Sequence, residues 1–370
     1  MISAIGLDNV LAFRALRLDA RALTLLCGTN SAGKSSVLHS LALLRQSQLA
    51  GMLSSGLLLN GSLVTLGTGR DILHSEFADL NGDGSVVLRV SLEDDAGGIN
   101  AWTAAYVSDA DTLELLGAAP QGRSGGLFEP GFQYLKADRI VPAVTFPKSH
   151  EEVTVRRSLG PKGEHSANFL RVHGEAPVTN QRTEHPDAAG RSLSEQTNAW
   201  LRELSRETLL DVEDVGGTDL VRLVFRRAGS DVNTEPQRAT NVGFGLTYAL
   251  PIIVGCLSAG SGSLILVENP EAHLHPRGQA IVGRLCALAA AGGAQVVVET
   301  HSDHVLNATR LTVKRGELAA EEVLLHFLSR SPGVLQPTLD TLEVTPEGMI
   351  GAWPKGFFDE MDRALGELLE

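Results

Sequence analysis

The stretch CGTNSAGKSS (residues 27–36) decides how the rest of the chain is read. Gly28 and Gly33 bracket four residues and are followed by Lys34 and Ser35, which completes the phosphate-loop pattern GxxxxGK[ST]. Glycine admits backbone conformations closed to other residues and lets the main chain approach a polyphosphate closely. Successive N–H groups then form an anion-binding nest at the start of the following helix. In such a loop Lys34 reaches the β- and γ-phosphates and the Ser35 hydroxyl ligates Mg2+. The flanks fit: Leu23, Thr24, Leu25 and Leu26 predict a strand before the loop, and Val37, Leu38, Leu41 and Leu44 an apolar helix face after it. A glycine turn matching by chance is the alternative, and a full match between strand and helix disfavours it. The stretch predicts a nucleoside-triphosphate site, with Gly28, Asn30, Ser31, Gly33, Lys34, Ser35 and Ser36 as the residues that hold ATP.

Composition sets the bounds. A chain of 370 residues can bury a large core, as one α/β domain or as a domain with an insertion. With 43% hydrophobic and 20% charged residues it has the profile of a soluble globular protein. The net charge of −13 argues against a surface built wholly to coat nucleic acid and leaves room for a local basic patch. Cys27, Cys256 and Cys286 lie far apart in apolar segments, without metal-ligand spacing, and read as reduced core residues of a cytoplasmic protein. The opening MISAIGLDNV lacks a charged region before an apolar run, and the apolar stretch at residues 246–257 is short and carries Pro251. Neither a signal peptide nor a transmembrane helix is expected.

Along the chain, residues 2–5 and 13–18 predict two short strands, and the helix after Lys34 extends to about Gln48. Apolar runs at residues 57–59, 63–66, 86–90 and 102–106, cut by Asn60-Gly61, Asn81-Gly82 and Asp94-Asp95, predict an antiparallel sheet. Residues 117–131 read as an exposed loop, 132–142 as strand-like, and 145–190 as polar and poor in periodicity. Ser192 and Glu195 form a capping-box pattern that opens a helix through Trp200, Leu201 and Leu204. A further strand spans residues 220–225 and ends in Arg226, Arg227 and a polar loop. From residue 241 the signal is strand–helix alternation: NVGFG opening a helix, a buried strand at 264–267, a helix at 277–291, a second strand at 295–298 and a helix from 302. That order implies a parallel sheet whose strand C-termini carry the site. The tail WPKGFFDEMDRALGELL places Pro354 and Gly356 ahead of an amphipathic helix.

A phosphate loop needs an acid for its magnesium. In SLILVENPEAHLHP, four apolar residues lead into Glu268, a carboxylate whose burial is costly unless it meets a cation or water. Glu268 therefore reads as the magnesium-holding acid, and pairing with a basic side chain is the alternative. VVVETHSDH puts His301 just past an apolar strand, where an imidazole could contact the γ-phosphate or be an ordinary strand-end histidine. His273 and His275 lack the further ligands that zinc requires.

Taken together, GTNSAGKSS, NVGFGLTYALP, LILVENPEAHLHP and VVVETHSDHVLN resemble the ABC-type ATPases of the SMC-like, RecF-like and OLD-like group. The WPKGFFDE tail resembles a small C-terminal domain found in a subset of them. The motifs occupy residues 2–50 and 240–360, and nothing between them matches. The resemblance implies an α/β fold, a P-loop NTPase head of ABC type. Its mixed or parallel core sheet is flanked by helices, with an antiparallel β subdomain and a helical insertion. It also implies a division into residues 1–116 (first lobe), 117–210 (variable insertion), 211–330 (second lobe) and 331–370 (small C-terminal segment). By the same resemblance residues 28–36 are the Walker A loop, 241–247 stand at the signature motif, Glu268 is the Walker B acid, 273–276 are the D-loop region and His301 is the switch histidine. ATP and Mg2+ are the implied cofactors, with Ser35 and Glu268 on the metal. Two ATP molecules would then lie between two copies, each met by the partner's signature helix. Gly243 and Gly245, at a helix start, fit such a second anion site, or else a plain capping turn.

Two departures matter. The residue after the Walker B acid is usually a glutamate that activates water, and here it is Asn269, whose amide is no general base. Either Glu271 takes that role, or hydrolysis is slow and the protein is an ATP-gated clamp. The glutamine loop has no firm place: Gln46 reads as a helix-end residue, and Gln133 and Arg139 are weak candidates. The residues after His301 lack a carboxylate set for two-metal nuclease chemistry, so a nuclease would be a separate partner. Three functions follow as expectations: a dimerising ATPase that gates or drives an effector in anti-phage defence or DNA maintenance, a scaffold with little turnover, and a kinase. Direct action on DNA would use a patch such as Arg226, Arg227 and Arg238.

Overall fold

Apolar side chains alternate along Ile2–Val10 and Phe13–Asp19, and the two strands pair as an antiparallel hairpin. Val87–Asp94 joins Ile2–Val10 on its other edge, and Ile99–Ala105 completes a four-stranded sheet. The structure is a computed structural model, which describes the chain apart from residues 121, 123, 207, 228–236, 352, 355, 359–364 and 369–370 and the side chain of Arg227. The chain divides into two units, Met1–Phe128 with Ala320–Glu370, and Glu129–Ala319.

In the first unit the strand Leu23–Gly28 is buried along its apolar length and leads into the helix Lys34–Leu49. Val37, Leu38, Leu41 and Leu44 are fully buried, as their spacing predicts. Each contributes about 1.5–3 kcal/mol of hydrophobic burial. Buried hydroxyls on this helix bond back one turn, Ser40 Oγ to Ser36 O at 2.7 Å and Ser47 Oγ to Leu43 O at 2.8 Å. Leu23–Gly28 runs parallel to Val323–Ser329, which in turn pairs antiparallel with Thr338–Leu342. Residues from both ends of the sequence thus share one sheet. Phe357 of the tail is fully buried, its ring 5.3 Å from that of Phe327.

The second unit holds a parallel ladder, Gln133–Leu135, Leu264–Glu268 and Gln295–Glu299. All residues of the last two strands are buried, which suits strands covered on both faces. The helix Pro276–Ala291 connects them and Asp303–Lys314 follows. Phe244–Ser258 precedes the ladder's central strand, and Leu193–Leu204 opens with both halves of the Ser192–Glu195 capping box. A separate antiparallel sheet joins Phe146–Pro147, Thr208–Asp214, Leu220–Arg227 and Gln237–Arg238.

Three expectations need correction. Residues 63–66 form no strand, because Gln46 Oε1 accepts both Leu63 N–H (3.0 Å) and Val64 N–H (2.9 Å) and takes those donors from any ladder. The strand expected at 132–142 is cut to Gln133–Leu135, since Ala137 N–H turns to a carboxylate. Residues 145–190 are more ordered than their polarity suggests. They contain the helix Ser166–His173, and Asn180 Nδ2 donates to Leu288 O and Ala289 O at the end of a neighbouring helix. Polar side chains here satisfy backbone, a pattern hydrophobic periodicity does not register. The tail helix falls largely outside the described residues, as do Lys355, Asp359 and Glu360 of WPKGFFDE and most of the polar loop after Arg227. Among the described residues no helix is long and apolar enough to cross a membrane, and none of the three cysteines forms a disulfide.

His326 is fully buried, with Nε2 2.7 Å from Asp19 O and Nδ1 3.1 Å from Thr341 Oγ1. Burial pushes its pKa below the ordinary histidine value. The folded state keeps the ring neutral while the unfolded chain takes up a proton below about pH 6.5, so stability is complete above that pH and falls as pH drops. Urea midpoints at pH 7.5 and 5.5 should differ less for His326→Gln than for wild type, by up to about 1.4 kcal/mol per pH unit. Equal pH dependence in the two proteins would count against this assignment.

Candidate functional site

The phosphate loop lies in the first unit, at the C-terminal end of Leu23–Gly28. Gly28 has φ +142°, and a Cβ there would lie 1.9 Å from Leu328 O, so no other residue fits. Leu328 O also accepts Thr29 N–H at 3.1 Å, which ties the loop's entry to the adjacent strand. Ser31 and Gly33 take positive φ, and the helix Lys34–Leu49 starts without an acidic residue in its first turn. Its open N–H groups and dipole therefore face no protein anion of their own in that turn. Lys34 is buried, and Nζ donates to Gly28 O (3.1 Å) and Thr29 O (2.9 Å) across the loop. That folds the cation over the loop's own carbonyls, a geometry suited to a triphosphate as a stronger acceptor.

Glu268, Glu271, His301, Gly243 and Gly245 all belong to the second unit. Glu268 ends its strand and is buried; Tyr134 Oη donates to Oε1 at 2.5 Å and Ala137 N–H to Oε2 at 3.0 Å. Burial, then the charge of Glu268, raises the Tyr134 pKa, so the phenol keeps its proton and acts as donor. Asn269 sits at φ +43°; its N–H donates to Glu299 O (2.8 Å), and its own Oδ1 is buried without a hydrogen-bond partner among the described residues. A buried acceptor of that kind suits a bound water or hydrated cation. Carboxylate, hydroxyl and amide oxygens are the donor set that magnesium takes.

Glu271 has a clear local role. Its Oε1 accepts His301 N–H and its Oε2 accepts Thr300 Oγ1–H, both at 2.7 Å. It holds the turn that presents the exposed His301, and Ser302 then caps the helix Asp303–Lys314. Gly243 and Gly245 flank the start of Phe244–Ser258. They line a cavity of about 380 Å³ together with Arg206, His273, His275 and Arg277. A Cβ on residue 245 would come within 2.9 Å of His273 O, whereas one on residue 243 would meet nothing. Gly243 and Gly245 are thus neighbours of His273, Leu274 and His275 within this unit.

The remaining candidates have structural employment. Gln46 bridges Leu58 O and the 63–64 amides, and Gln133 clamps Arg157 O and Leu159 N–H. His275 Nδ1 caps the helix Pro276–Ala291, and the His273 ring packs edge-on against Tyr248. His185, Asp187 and Glu203 converge closely enough to suggest a metal. However, His185 Nδ1 accepts the Asp187 N–H, which puts the ring proton on Nε2, facing Glu203 as a donor. Arg226 of the expected basic patch is drawn toward Glu213 (3.4 Å) and Asp211 (3.9 Å), and the Arg227 side chain lies outside the described residues.

Two residues escaped sequence reasoning. Glu299 was legible in VVVETHSDH, and only the register, which sets it beside Glu268 on the adjacent strand, reveals its place. Tyr134 gave no signal at all.

Residues 177–307 match the family described as "AAA domain, putative AbiEii toxin, Type IV TA system". Residues 318–368 match the family described as "Protein of unknown function (DUF3696)". Among solved structures, the chain is similar to an SMC head bound to the C-winged-helix domain of ScpA. They share 12% identity and a TM-score of 0.53, over 92% of this chain and 97% of that one. It is likewise similar to the SMC head domain with an extended coiled coil, bound to the C-terminal domain of ScpA, derived from Pyrococcus furiosus. There identity is 11% and the TM-score 0.51, over 100% of this chain and 99% of that one. The fold is that of an SMC head domain. No curated protein matches the chain significantly. At such low identity the solved heads speak to the fold alone. The first family match begins at residue 177, inside the stretch that motifs left blank.

Gly28→Ala should destabilise the head by at least about 2 kcal/mol through positive φ and collision with Leu328 O, and should weaken ATP binding. Thermal melts and equilibrium binding of a fluorescent ATP analogue check both; a variant with wild-type melting and affinity would contradict this view of the loop.

Proposed function

We propose that this head binds and hydrolyses ATP, pairs with a second copy around the nucleotide, and thereby gates or drives a separate effector protein. The phosphate loop carries that reading: a glycine that cannot be replaced, a buried lysine folded over its carbonyls, and a helix start without an acidic side chain. In this reading Gly28, Asn30, Ser31, Gly33, Lys34, Ser35 and Ser36 hold the triphosphate. Ser35 and Glu268 hold Mg2+, which neutralises phosphate charge when bound. Gly243 and Gly245 meet the ATP of the second copy, and His301, held by Glu271, contacts the γ-phosphate.

The effector is a protein of its own, such as a nuclease, and the setting is anti-phage defence or DNA maintenance. The toxin–antitoxin wording of the matched family supports a defence setting. The ion pairing of Arg222 and Arg226 with Glu213 lowers the positive field of that sheet, which supports a protein partner over direct contact with DNA.

A second reading, an ATP-held scaffold with little turnover, is favoured by one observation. Asn269 stands where a water-activating glutamate is usual, and both oxygens of Glu271 are engaged by Thr300 and His301. Steady-state ATPase measurements on wild type, Lys34→Ala and Glu271→Gln separate the two. The ATPase reading expects Lys34→Ala to lose about 100-fold or more, and Glu271→Gln to lose less because an amide still accepts one of the two bonds. Undiminished turnover in Lys34→Ala would remove the loop from the chemistry. Wild-type turnover near zero with retained ATP binding would select the scaffold.

A further inference from the structure

The stretch that begins with the strand Gln133–Leu135 matches no motif, yet it contacts Glu268 at side chain and backbone alike. Tyr134 lies opposite Leu266 in the parallel ladder. Its side chain therefore leaves the sheet on the face shared by Leu266 and, two residues on, Glu268. From there Tyr134 Oη reaches Glu268 Oε1 at 2.5 Å, and Ala137 N–H reaches Oε2 at 3.0 Å. Arg139 secures the backbone beneath. It is 2% exposed, donating to Glu268 O at 2.6 Å, Asn269 O at 2.7 Å, Tyr248 O at 3.2 Å and Lys136 O at 2.9 Å. Burial lowers its pKa to about 10, so it remains a guanidinium at neutral pH.

An ionised carboxylate has about four lone-pair positions, two on each oxygen. A bond to each oxygen fixes the plane and rotamer of the group. That is how an outer set of donors orients a carboxylate that ligates a metal. Tyrosine is well suited to such positioning, because its rigid ring crosses from the neighbouring strand with two torsions to fix and ends in a single directed proton.

We infer that Tyr134 is a positioning residue for Glu268, holding its carboxylate in the orientation that takes Mg2+ with ATP, while Arg139 fixes the strand end from which that carboxylate extends. This deepens the ATPase reading and rests on it. The arrangement also joins the acid to the signature-like helix, since Arg139 bonds Tyr248 O and its guanidinium stacks 5.2 Å from the Tyr248 ring centre.

Tyr134→Phe keeps the ring and removes only the hydroxyl and its proton. The measurement is equilibrium binding of a fluorescent ATP analogue to the full chain over a Mg2+ titration, with EDTA as the metal-free reference. The half-saturating Mg2+ concentration should rise about tenfold or more, as when a metal ligand loses its outer partner, while affinity in EDTA stays at the wild-type value. A folded Tyr134→Phe with the wild-type Mg2+ requirement overturns the role. If that variant fails to fold, Arg139→Lys, which keeps the charge and loses the forked donors, is titrated in its place. A raised requirement supports the inference and an unchanged one overturns it. Glu268→Gln, run alongside, tells the two levels apart. An unchanged Mg2+ requirement there removes Glu268 from the metal and sinks the underlying assignment, whatever Tyr134 does.

Discussion

The constraint on which the phosphate loop depends is an absence of atoms. Leu328 O stands where a Cβ on residue 28 would be, 1.9 Å away, and the strand turns into the loop only because glycine has none. The same carbonyl accepts the Thr29 N–H, so one oxygen both forbids a side chain and directs the main chain. The interaction spans almost the whole sequence, from residue 28 to residue 328. It explains why a strand near the C-terminus belongs to the first unit, and why Phe357, packed on Phe327 next in that strand, matters to the loop's surroundings.

The second unit solves a different problem, that of ending buried strands in polar groups. Leu264–Glu268 and Gln295–Glu299 are buried throughout, yet each finishes in a carboxylate, and the two are register partners. A buried carboxylate end of this kind is costly unless donors meet it, as they do at Glu268. Tyr134 and Ala137 serve Glu268, Arg139 collects the carbonyls of Glu268 and Asn269, and Glu271 binds the turn at Thr300 and His301. Rigidity at the strand ends is what a site for a highly charged ligand requires, since its donors must be fixed before the charge arrives. Asn269 ties its strand end to Glu299 O through its N–H, and its amide side chain is no general base.

Most of the fold could be read from the chain because its signals are local. The loop pattern, the helix face of Val37, Leu38, Leu41 and Leu44, the Ser192–Glu195 box and the apolar runs before Glu268 and Glu299 each lie within a few turns of sequence. What stayed hidden is non-local. Nothing near Tyr134 or Arg139 indicates that residues more than a hundred positions later will receive their hydrogen bonds. Gln46 looks like a helix end and instead holds a turn together, and Asn180 lies in a polar stretch and closes a helix far along the chain. Glu299 was visible as a letter and became meaningful only through strand register.

If ATP brings two heads together, the signature-like glycines of one copy serve the nucleotide of the other, and the mass of the particle must change with the nucleotide. Multi-angle light scattering of the full chain with Mg2+, with and without ATP, reads this directly. A monomer mass is expected without nucleotide and twice that mass with ATP. A mass that stays monomeric at saturating ATP, in a protein shown to bind the nucleotide, would contradict the pairing.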